Sequence, residues 1–398
     1  MAVKRLSKWN WLRIIRDWKT RILLVLFFVF FGSFSLLYRQ QNVTFPQSEM
    51  TAEYQDERAI YRLIPKDHFE SELGQEVQQR LGGNSVALGI SRYILGQRKG
   101  NNIEGFELLP DYIESGRTVV DNNLFLYEAT AFESYDLLVE EYLPPLHEVE
   151  EEARFFDALE ESGLDIEWNP FSAAQMVKTS VDLIAGFLLF ILIALFAADH
   201  FSKDQAENWS VTQGLPIPWK TQWRLRSRML WGLLIVAVLL GHIASYLISL
   251  QIDTVGNFNY PVSIYHRGVI HYIPMWQYIL IALAMILGLA YVLIRITTGL
   301  SWIFKNIYLT ILLVSSIYFV PQIWQVLPAF SSWQPSLYLN IFGVLQGTTA
   351  INTGLAGVVW YKSFILYGVI LIILEFVFKK VFSYIPTTTA GLQRREQV

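Results

Sequence analysis

Apolar residues fall into six long runs, approximately Ile22 to Tyr38, Val181 to Ala198, Met229 to Leu250, Trp276 to Ile296, Ile307 to Trp324 and Phe364 to Phe382. Each holds 17 or more residues and is nearly free of charge. At a helical rise of about 1.5 Å per residue, each can cross a hydrocarbon layer of about 30 Å with some thinning or tilt. The pattern predicts a membrane all-α fold with six transmembrane helices, the first over 22–38 and the other five within 177–398.

Outside these runs the periodicity changes. Trp11, Ile14, Ile15 and Trp18 fall on one helical face, with Arg13, Arg16, Asp17 and Thr20 on another, so residues 1–21 read as an amphipathic helix lying in the headgroup plane. Leu146, Val149, Ala153, Phe156 and Leu159 recur at steps of three and four, with Glu148, Glu150, Glu151, Glu152 and Glu160 on other faces. That spacing predicts a second amphipathic helix, opening after Pro144-Pro145. Ser85 to Leu95 and Thr118 to Tyr127 are rich in β-branched and aromatic residues, and glycines flank them at Gly82-Gly83 and Gly96. They predict short strands, which makes 39–176 a mixed α/β domain.

Charge orients this arrangement. From Arg39 to Met176 there are 27 Asp and Glu against 10 Lys and Arg, whereas the rest of the chain holds 21 Lys and Arg against 8 Asp and Glu. The basic flanks are Lys4 to Arg21, Lys203 to Arg228 and Lys379 to Arg395, and the positive-inside rule puts all three in the cytoplasm. Both termini are then cytoplasmic, the acidic 39–176 domain is extracellular, and the protein is a multi-pass protein of the cell membrane. The first run lacks a small-x-small cleavage site and reads as an anchor rather than a removed signal peptide. With no cysteine, the acidic domain has to rest on a hydrophobic core, and there is no thiol chemistry or cysteine-ligated zinc to look for. Asn42-Val43-Thr44 matches a glycosylation sequon, a pattern short enough to arise by chance.

The connection after the second run carries the most specific motif. It is polar from Asp199 through Asp204 to Glu207, becomes apolar with Trp209, breaks at Gly214-Leu215-Pro216 and re-enters the membrane behind Arg224 and Arg228. An interfacial N-terminal helix, a large insertion between spans one and two, an acidic segment leading to Leu-Pro and a basic re-entry into span three together resemble the ABC-2 type permeases. The resemblance covers residues 1–38 and 177–390. The chain keeps Glu207, Leu215-Pro216 and Arg228, but has Asn208-Trp209 where the family usually has Gly-Thr. The resemblance implies that 199–228 is a coupling loop in which Asp204, Glu207, Trp209, Leu215, Pro216 and Arg228 meet an ABC ATPase subunit. It also implies that 325–361, broken by Gly343, Gly347, Gly354 and Gly357, dips into the membrane as a re-entrant pair of short helices, the alternative being a seventh span. No Gly-x-x-x-x-Gly-Lys-Ser/Thr loop occurs, so no cofactor is expected on this chain and ATP is expected on the partner subunit. A second permease copy or a related permease would complete the pathway, with membrane lipid around it and no nucleic acid partner.

Within the runs, Asp182, His242 and Glu375 are candidates for a polar transport path, because an uncompensated acid at the bilayer centre costs about 3 kcal/mol. The structural alternatives are interfacial exposure for Asp182, a packed histidine for His242, and an i,i+4 pair of Glu375 with Lys379. Arg295 reads as snorkelling to the cytoplasmic interface, and His266, Arg267 and His271 as a surface loop. The function expected is an exporter permease moving a peptide, a lipid or a drug. A sensor or immunity protein whose acidic domain binds cationic peptides without transport is the alternative. An intramembrane enzyme is disfavoured, since no paired catalytic groups recur at helical spacing.

Overall fold

The structure is a computed structural model that describes residues 2–41, 43–98, 108–201, 218–319 and 330–383. It is mostly helical. At the basic end, α1 (Ala2–Arg16) meets α2 (Trp18–Gly32) at Asp17, whose carboxylate accepts from the Thr20 amide at 3.1 Å and so caps α2. The first apolar run continues through Ser33 into the short α3 (Phe34–Tyr38).

The acidic domain is built from α4 (Pro46–Leu63), α5 (Glu72–Arg98), α6 (Leu108–Glu128), α7 (Tyr135–Glu141) and α8 (Leu146–Ser162). The amphipathic α8 begins after Pro145 and ends at Gly163, which takes the left-handed conformation (φ 59°). The two predicted strands are not strands: Ser85 to Leu95 lies inside α5 and Thr118 to Tyr127 inside α6, and no strand occurs among the described residues of 39–176. The glycines that suggested turns serve close helix packing instead. A Cβ on Gly83 would stand 2.9 Å from the Asn122 amide, and one on Gly96 would stand 2.6 Å from the Gln47 amide; within α6, one on Gly116 would stand 1.9 Å from the Phe156 ring. Packing of α5 on α6 has overridden β-propensity. One core gathers Ile60, Val77, Leu81, Leu126 and Leu138, and a second gathers Ile94, Ile113, Val120, Val149, Phe156 and Leu159.

The chain returns through α9 (Ala173–Ile184) and α10 (Phe187–Ala197), which meet at a 66° bend. After the connection come α11 (Trp219–Ile252), a hairpin of β1 (Pro261–His266) and β2 (Val269–Pro274), and then α12 (Met275–Phe304). The expected surface loop is this antiparallel hairpin, running from Pro261 opposite Pro274 to His266 opposite Val269. Its turn residues Arg267 and Gly268 have φ of 52° and 91°, as a tight two-residue turn requires. α13 (Ile307–Ile317) follows, then α14 (Ile341–Leu345), α15 (Thr348–Thr353) and α16 (Trp360–Ser383). Between residues 330 and 359 the helices are too short to cross a membrane.

Among the described residues α11, of 34 residues, and α12, of 30, are long and apolar enough to span, and α9 with α10 makes a third if the bent pair is one span. The other three runs differ: α2 is 15 residues long and broken from α3, α13 is 11, and α16 is 24 but carries Lys362, Glu375, Lys379 and Lys380. α12 is the centre of the bundle, with α9, α10, α11, α13 and α16 packed around it; Trp276 and Leu280 leave one face of its first half exposed, whereas the stretch from Val292 to Trp302 is buried on all faces, as in a helix enclosed by others.

Candidate functional site

Glu375 on α16 gathers cations from two other helices. Arg224 of α11 donates from Nε to both carboxylate oxygens at 2.9 Å and from Nη2 at 2.5 Å. Lys220 lies 3.4 Å away and Arg295 of α12 pairs with the other oxygen. Arg295 is only 2% exposed, and its guanidinium stacks 3.4 Å from the Trp223 ring centre. The Trp223 indole in turn donates to the Arg295 carbonyl at 3.1 Å and to Thr298 Oγ1 at 3.0 Å. Glu375 therefore reaches across to α11 and α12 rather than along its own helix to Lys379, which is exposed. Arg295 does not snorkel; it is enclosed and paired. Its signal in the sequence was a lone arginine in one apolar run and a lone glutamate in another, because opposite charges in hydrocarbon segments seek each other.

Asp182 and His242 occupy other positions. Asp182 takes Lys178 at 2.9 Å, one turn away on α9, and accepts from the Tyr278 hydroxyl of α12 at 2.7 Å. A polar chain continues from there, as Gln346 Nε2 donates to Tyr278 at 3.3 Å and Ser263 of β1 donates to Gln346 at 3.1 Å. This links α9, α12, the residue after α14 and the hairpin. His242 is 6% exposed, with Nδ1 2.9 Å from Ser180 of α9 and its ring 5.0 Å from that of Phe31. Glu375 sits in a separate cluster from both.

Of the proposed coupling residues, Asp204, Glu207, Trp209, Leu215 and Pro216 lie outside the described residues, and Arg228 is exposed on α11. The two ends of that connection are described, and both are anchored. Asp199 is held by Lys19 of α2 at 3.0 Å, and the His200 carbonyl accepts from Arg226 Nη1 of α11 at 2.5 Å. Phe201 packs with Trp223, Trp302 and Phe378. Burial pushes the His200 imidazole down to about 4, against the pull of Asp199 and helped by Arg226 and Lys19.

The acidic domain joins the bundle at the end of α11 and at the hairpin. Arg39 at the end of α3 pairs with Asp253 at the end of α11, and Asn169 Nδ2 donates to the same carboxylate at 2.5 Å. On the hairpin, the Tyr272 hydroxyl donates to the Glu151 carbonyl of α8 at 3.3 Å and its ring lies 5.6 Å from that of Phe155. A cleft of about 1040 Å³ runs between α4, α5 and α6, lined in part by Tyr54, Val86, Ile90, Tyr93, Asp111 and Glu114. Among the described residues no three His, Asp or Glu side chains converge as metal ligands. Comparison of the chain with family models, curated proteins and solved structures returns no match.

Proposed function

We propose that the chain is the permease subunit of an ATP-driven exporter of the ABC-2 type, with six spans, both termini in the cytoplasm and the acidic domain outside a cell membrane. ATP is bound and hydrolysed on a separate ATPase subunit, and a second copy or a related permease completes the pathway. The 325–361 segment is re-entrant in this reading, with α14 and α15 as its short helices. One observation carries the proposal most directly: both described ends of the 199–228 connection are tied to the helix bundle, through Lys19 and Asp199 at one end and through Arg224, Arg295 and Glu375 at the other. A push delivered to the connection by a closing ATPase dimer then moves α2, α10, α11, α12 and α16 together, and nucleotide binding biases the bundle between two arrangements. Asp182 and His242 line the path, while Glu375 is the tie that transmits the motion.

The experiment replaces Glu207 by Lys, or Leu215 by Asp, in the full chain. Both should insert at parent levels, and ATPase association should weaken by about 3 kcal/mol, more than a hundredfold. Parent-like ATPase binding and transport in both variants would overturn the coupling role. The sensor reading draws on the acidic-rimmed apolar cleft, which suits a cationic amphipathic peptide. ATP-dependent movement of substrate in reconstituted vesicles separates the two readings.

A further inference from the structure

Where α1 meets the ends of α10 and α11, Arg13, Arg16 and Arg226 line a cavity of about 350 Å³ together with Asn10, Asp17, Asp199 and His200. The two carboxylates already have roles. Asp17 caps α2 through the Thr20 amide at 3.1 Å and hydroxyl at 3.0 Å, and Asp199 holds Lys19 at 3.0 Å. Three arginines against these two acids leave the lining formally positive, and Lys19 adds a further charge at its edge. Asn10 is 1% exposed, yet its Nδ2 has no hydrogen-bond partner among the described residues, and neither has His200 Nε2. A buried donor left unpaired costs about 1 to 3 kcal/mol. A positive cavity with an unmet amide donor in its wall calls for an anion rich in acceptor oxygens.

The position of the cavity narrows the source of that anion. Trp11 and Trp18, beside it on α1 and α2, are 39% and 71% exposed, as expected of aromatic side chains at headgroup depth. The cavity is several times larger than a bare phosphate, and basic pockets at the ends of membrane helices take phosphate-bearing headgroups. We propose that this cavity binds a phosphate group, delivered by the headgroup of an anionic phospholipid from the leaflet bordering the basic end, and that the lipid pins α1 to the ends of α10 and α11. The inference rests on α1 lying at the membrane surface and is independent of whether the chain transports anything.

Native mass spectrometry of the full chain, loaded with phosphatidylglycerol or phosphatidylcholine, tests it. The parent should retain phosphatidylglycerol in preference. R13Q/R16Q should reduce that preference by about tenfold, and N10L, which alters no charge, by about threefold. The charge-matched control K8Q/R21Q, whose residues do not line the cavity, should stay within about twofold. An equal loss in the control would mean diffuse surface attraction, and full displacement of the lipid by inorganic phosphate would mean a free-phosphate site. Either result overturns the proposal, as does an unchanged preference in both cavity variants.

Discussion

The acidic domain and the basic end of the bundle both bury polar groups, and they satisfy them in opposite ways. At the centre of the acidic domain the partners are neutral amides: Asn84 and Asn122 bond at 2.8 Å, and Asn84 and Asn123 at 2.9 Å. Glu57 and Glu152 sink below its surface without an ion pair, and burial moves both toward their protonated form, at Glu57 against the pull of Arg58. Burial, with the surface-lying Glu53 nearby, pushes Glu152 of α8 up to about 7, and burial likewise raises the fully enclosed Glu57. At the basic end the acids are met by cations: Glu375 is surrounded by Lys220, Arg224 and Arg295, and the buried Asp199 is held by Lys19. A buried carboxylate needs either a proton or a cation. The acidic domain uses the first solution and the bundle the second, so the former should respond to pH and the latter to removal of a partner.

The largest effect is expected at Glu375. Glu375→Gln leaves Arg295 enclosed without its counter-charge, and breaking a buried pair in this way should lower stability by about 3 kcal/mol. Thermal unfolding of the full chain in nanodiscs reads it. Adding Arg295→Met should restore most of the loss, because a paired deletion removes the stranded charge as well. A single variant as stable as the parent would reduce the cluster to an ornament of the fold.

Gly116→Ala comes next. Its Cβ would stand 1.9 Å from Phe156 Cζ, so α6 and α8 should separate at a cost of about 2 kcal/mol. Hydrogen exchange over both helices should rise and should recover when Phe156→Leu is added. Exchange confined to α7 would instead mean that the α6–α8 contact is slack.

Glu152 sharpens the comparison through pH. Its pKa lies above the ordinary 4.5, at about 7, in the folded chain, so the native state binds a proton that the unfolded state releases over that interval. The contribution is intact below about 4.5 and is lost as pH rises to about 7, on the order of 3 kcal/mol in all. Protection of α8 amides, corrected for intrinsic exchange, should therefore be lower at about pH 8 than at about pH 5 in the parent and nearly level in Glu152→Gln. Equal slopes in the two proteins would assign the pH response elsewhere.

The bundle was more legible in the sequence than the acidic domain, for a physical reason. An apolar run long enough to span announces itself locally, and α11 and α12 lie where the runs predict them. Helix α8 was equally readable from Leu146 to Leu159, since one buried stripe faces one core. Helices α5 and α6 were not, because Gly82, Gly83 and Gly96 look like turn residues until the partners that press on Gly83 and Gly96 are known. Partners distant in sequence were hidden for the same reason. Arg224 and Arg295 stand 151 and 80 residues from Glu375, whereas Lys379, the partner suggested by spacing, lies exposed on the same helix. The bend between α9 and α10 falls inside a run that hydropathy reads as one element.

The claim that everything else depends on is the separation of the acidic domain from the basic end by a membrane. Because the chain has no cysteine, single cysteines at Ser162, Asn340, Ser202 and Gln393 report it without background. Treated with a membrane-impermeant thiol reagent, intact cells should be modified at Ser162 and Asn340, and at Ser202 and Gln393 only after permeabilisation. Modification of Gln393 in intact cells, or protection of Ser162, would contradict the account.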